Sequence, residues 1–139
     1  MSTTLILLSC IVFGIVVLLA AAWFTNRLPR RRGGLDKDYF QTRWLDVLAK
    51  VKTQEGMVLA VIDSDKLLDE ALKRRHFKGR TMGERMVSAQ QTFTDNDATW
   101  YAHKLRNRLV HEADIKLKEN EAKRALAGMR QGLKDLGAL

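Results

Sequence analysis

Arg106, Asn107 and His111 stand close together in the stretch HKLRNRLVHE, residues 103–112. His103, Lys104 and Arg108 add a second imidazole and two more cations. A guanidinium offers a fork of donors that matches phosphate oxygens. An imidazole takes up or releases a proton near neutral pH. The stretch is therefore either a site that handles phosphates or a solvated face of a basic helix, and the residue types fit both.

Which reading holds depends on where a helix points these side chains. On a wheel of 100° per residue, Ala98, Ala102, Leu105, Leu109 and Ala113 fall within about 80° and form the expected core face. His103, Asn107 and His111 lie at i, i+4 and i+8, in one row on the opposite side, beside Trp100. Arg106 sits at the edge between the two faces. This places both histidines outside the domain's own core. A tryptophan beside two outward histidines suggests a covered surface, with Trp100 at a dimer contact.

The surrounding chain reads as helical throughout. Asp36 can cap a helix carrying Tyr39, Phe40, Trp44, Val47, Leu48 and Val51 on one stripe. A second helix runs from about Gln54 to Arg75, with Met57, Val58, Val61, Ile62, Leu68 and Leu72 inward. Asp65 falls within that stripe. A carboxylate there needs a cation or several donors, or it costs several kcal/mol. It is either an acid that orients an arginine of the site or one half of a structural salt bridge. Thr81 and Glu84 form a capping box for a short third helix. TDND, residues 94–97, offers caps for a fourth, from about Asp97 to Glu112. The last helix carries Ile115, Ala122, Leu126, Met129, Leu133 and Leu136 at helical spacing. Strand signals are missing after residue 35, so the expected fold class is all-α, a bundle of four to five helices.

Ahead of the bundle, LILLSCIVFGIVVLLAAAWF, residues 5–24, holds no charge. A helix of that length covers roughly 30 Å, the hydrocarbon thickness of a bilayer. Arg27, Arg30, Arg31 and Arg32 follow at once. The expectation is a single-pass cell-membrane anchor over residues 1–26, a basic juxtamembrane linker over 27–35 and a cytoplasmic domain over 36–139, with the amino terminus outside. A cleaved signal peptide fits less well, because MSTT carries no Lys or Arg and the apolar core is too long. The arginine block is a topology signal or touches anionic lipid.

The formal net charge is +8 over 139 residues. All sixteen acids lie after residue 35, and twenty of the twenty-four cations do, so the domain carries +4. That argues only weakly for nucleic acid as a partner. The single cysteine, Cys10, cannot form an intrachain disulfide. No Cys or His cluster has metal-ligand spacing, so no metal and no cofactor is expected. There is no Walker or Rossmann glycine pattern and no nucleophile elbow.

Arg106, Asn107 and His111, an arginine and a histidine with a polar residue after the arginine and four residues between, resemble the signature of the HEPN superfamily. Its domains are bundles of four or five helices with the signature on a late helix, and the resemblance covers roughly residues 36–137 by architecture. Many are metal-independent endoribonucleases that act as dimers, with two motifs meeting in a cleft. The resemblance implies that Arg106 holds the scissile phosphate, that His111 is general acid or base, and that Asn107 positions the substrate or the histidine. It leaves His103 as a second imidazole or a lining residue. Other members are non-catalytic and bind nucleotides or proteins. The expectation is therefore a membrane-anchored dimeric ribonuclease acting on cytoplasmic RNA. The alternative is a tethered helical module that binds a protein or nucleotide and does no chemistry.

Overall fold

The computed structural model describes residues 3–27 and 34–139. The chain divides into two compact units, Met1–Arg32 and Gly33–Leu139. Among the described residues every regular element is helical.

The first unit contains α1 (Thr3–Arg27). Its described apolar side chains, Leu7, Ile11, Phe13 and Leu18 among them, are exposed on all sides. The expectation of a membrane-spanning anchor is not upheld. Among the described residues no helix is long and apolar enough to cross a membrane. The single-pass topology and the cell-membrane placement, amino terminus outside and domain inside, fall with it. The Arg30, Arg31 and Arg32 of the expected juxtamembrane block lie outside the described residues, as does the side chain of Arg27.

The second unit is built from α2 (Lys37–Ala49), a 3₁₀ turn (Lys50–Lys52), α3 (Gln54–Arg74), α4 (Met82–Ala89), α5 (Asn96–His111) and α6 (Glu119–Asp135). The starts are set by side chains that satisfy amide groups with no intrahelical partner. Asp36 accepts from the Tyr39 amide, Thr53 from Gly56, Thr81 from Glu84 and Asp95 from Ala98. The expected capping box at α4 is only half present: the Glu84 carboxylate reaches the Arg80 amide, one residue before the cap. Ile115, expected in the last helix, lies in the loop before α6.

The core is one cluster centred on Phe40, Val61, Leu68, Leu72, Met86, Met129 and Leu133, all fully buried. Each such side chain contributes roughly 1.5–3 kcal/mol by leaving water. The α2 stripe is narrower than its periodicity suggests: Leu48 and Val51 remain exposed. Helices α5 and α6 approach closely because Gly128 has no side chain. A Cβ there would stand 2.5 Å from the carbonyl oxygen of Ala98. Polar contacts hold α4 to α3. The buried Arg85 donates through Nε to Asp69 at 2.8 Å and through Nη2 at 3.0 Å, and its Nη1 donates to the Gly79 carbonyl at 2.8 Å.

Candidate functional site

Helix α5 packs against both α3 and α6. A helix wedged between two neighbours buries a wider arc than its apolar residues mark out. The apolar arc continues through Thr99, which is fully buried, to His103, which is 9% exposed. On the wheel this adds about 80° to the core face. The outward placement of His103 is therefore corrected. It faces α3, where Asp65 is 3% exposed inside the apolar stripe. Each explains the other: an acid on one buried face and a base on the next can be desolvated together.

Four side chains close into a ring. His103 Nδ1 lies 2.8 Å from Asp65 Oδ1. Asn107 Nδ2 lies 3.3 Å from His103 Nε2. Arg106 Nη1 donates to Asn107 Oδ1 at 3.0 Å. Arg106 Nε then stands 3.4 Å from Asp65 Oδ2. This last contact is an ion pair by distance but not a hydrogen bond, because the Nε–H is buried and has no aligned acceptor. Asp65 thus both neutralises Arg106 and anchors His103. The two sequence readings of Asp65, orienting acid and structural bridge, meet in one residue.

The tryptophan belongs to this cluster as well. Trp100 is half-buried, and its ring meets the His103 ring edge-on, with centroids 5.9 Å apart. On its other side it borders Gly83 of α4. Trp100 shields the His103 end of the ring and stays partly exposed.

His111 is different. It is the last residue of α5 and is exposed. Among the described residues its side chain makes no hydrogen bond and no ion pair. Beside it Arg108 pairs with Glu112 at 3.5 Å, with both side chains about half exposed. Of the residues read from sequence as the site, the structure brings Asp65, His103, Asn107 and Arg106 together, and it leaves His111 apart. Sequence reasoning missed the pairing of His103 with Asp65. The signal was available: an acid in the α3 stripe requires a basic partner on the helix packed against it.

No group of three His, Cys, Asp or Glu among the described residues is placed to hold a metal ion. Compared with family models, curated proteins and solved structures, the chain finds no match.

Proposed function

We propose that the helical unit is a metal-independent endoribonuclease that works on RNA as a pair of identical chains. The observation that carries this reading is the state of Arg106. Its guanidinium is braced from within by Asp65 and Asn107, and its side chain is 26% exposed. A guanidinium held in one orientation grips a phosphodiester without first losing its own freedom. His111 follows five residues later, exposed and unengaged.

The helix itself supplies the reason for two chains. Five residues at 100° each turn His111 about 140° away from Arg106, with a rise of about 7.5 Å between them. One chain cannot aim both at one phosphate. Two copies meeting along this side of α5 would set each Arg106 opposite the other copy's His111. In the reaction a base takes the proton of the ribose 2′-hydroxyl, and the freed oxygen attacks phosphorus. The 5′-oxygen leaves with a proton from an acid, and a cyclic phosphate remains. One imidazole can do both, returning to the 5′-oxygen the proton it took from the 2′-hydroxyl. Both ring nitrogens of His103 are occupied, so that imidazole is His111 of the other copy.

The test is RNA cleavage by the full chain in EDTA, with the oligomeric state measured in the same sample. Cleavage to cyclic-phosphate ends is expected, and His111→Ala should lower it about 100-fold or more. A dimeric sample that leaves every RNA intact would refute the proposal. A second reading is favoured because no group among the described residues orients His111, and acid–base histidines are normally held by a partner. Here the same face binds a nucleotide or a protein without chemistry. Nucleotide binding lost in Arg106→Ala and kept in His111→Ala would select it.

A further inference from the structure

The ring around His103 determines where protons sit as well as where atoms sit. Arginine carries donors only, so the Asn107 amide must turn its oxygen toward Arg106. Its NH₂ group then faces His103 Nε2. A donor aimed at Nε2 makes that nitrogen the acceptor, and the ring proton resides on Nδ1, donated to Asp65. Two neighbours that cannot both be donors thus dictate one tautomer.

We infer that His103 is a positioning residue that acts as a proton-operated latch on Arg106. Neutral, it holds the Asn107 amide in the orientation that grips the guanidinium. A proton added at Nε2 turns that nitrogen into a donor facing a donor. Rotating the amide by half a turn relieves the clash, because its oxygen then accepts from Nε2. The same rotation brings the amide NH₂ against Arg106 Nη1, and that contact is lost. Arg106 keeps only the 3.4 Å approach to Asp65, which it now shares with an imidazolium. The guanidinium is released toward solvent.

The charges around the ring leave Asp65 as the acid that answers His103. From α3, Asp69 lies one turn beyond Asp65 and is taken up by Arg85 of α4 and by Lys73. From α6, Arg124 lies over the Tyr101 ring at 4.0 Å. On α5 itself, Arg106 and Asn107 face His103, with the Trp100 ring at its edge. The consequence for RNA rests on the reading of Arg106 given above, but the latch can be tested without RNA.

The experiment is nuclear magnetic resonance on the full chain with labelled histidine, asparagine and arginine nitrogens. His76→Gln and His111→Gln variants assign the three imidazoles. The expected result is an Nδ1–H tautomer for neutral His103. Asn107 amide and Arg106 Nε–H signals should shift together along the His103 titration, with the same midpoint. In Asn107→Asp, whose oxygens accept from both neighbours, Arg106 should no longer follow His103. An Nε2–H tautomer, or Arg106 signals that stay still while wild-type His103 titrates, overturns the latch. Co-titration in a chain that cuts no RNA supports the latch and removes the ribonuclease reading. RNA cleavage without co-titration does the reverse.

Discussion

The two histidines of α5 lie on one row in sequence and in two environments in space. His103 is buried, paired with Asp65 and bonded at both ring nitrogens. His111, two turns on, is exposed and touches none of these groups. The difference follows from helix geometry. A step of four residues overshoots a turn by about 40°, so eight residues rotate the side chain by about 80° while the helix rises about 12 Å. That rotation carries the row from the α3 contact, through the half-buried Asn107, to solvent. An i, i+4, i+8 row is therefore no guarantee of a common role. The inner histidine is taken up by Asp65 and Asn107. The outer one is free to meet something else.

The strongest way to break this comparison is to remove the acid. Asp65→Ala should destabilise the fold by about 3 kcal/mol, because it strands His103 and the Arg106 Nε–H in a buried site. Chemical unfolding measures it, and a loss near zero would mean that the ring is not structural. A double-mutant cycle between Asp65 and His103 sharpens the point. Its coupling should fall at about 1–2 kcal/mol, the range for groups in one buried network. The partly exposed pairing in the groove between α2 and α3 sets a lower scale. There Asp63 binds Lys50, with Lys66 at 3.5 Å. Burial alone would raise the Asp63 carboxyl, but the bond and charge of Lys50, helped by Lys66, hold it below its ordinary 3.8. Its contribution to stability is present above that value and disappears as pH falls through the lowered one. Lys50→Ala should therefore cost less than about 1 kcal/mol at neutral pH and nothing in strong acid. His111→Ala should have the smallest effect, within about 0.5 kcal/mol. A larger loss would show that the outer histidine is also built into the bundle.

Local features of the bundle were legible because they depend on near neighbours in the chain. Caps at Asp36 and Thr81 and the stripe Ala122, Leu126, Met129, Leu133, Leu136 need only a few consecutive residues to specify them. Where the expectation failed, an apolar count stood in for packing. The wheel of α5 puts His103 outside, yet it is buried against Asp65 of α3. Leu48 and Val51 were scored as core and lie exposed. For α1, an apolar run was read as a membrane span, and the described residues do not supply one.

Sequence by itself determined that the chain is helical, where most of the helices of the second unit begin, and that Asp65 needs a partner. Those are matters of propensity, capping and desolvation, which act within a few turns. Only the tertiary structure decided that the partner is His103, that Arg106 and Asn107 complete the ring, and that His111 stays outside it. Residues 38 positions apart meet only when α5 settles between α3 and α6. Which polar groups are buried together is settled by that packing.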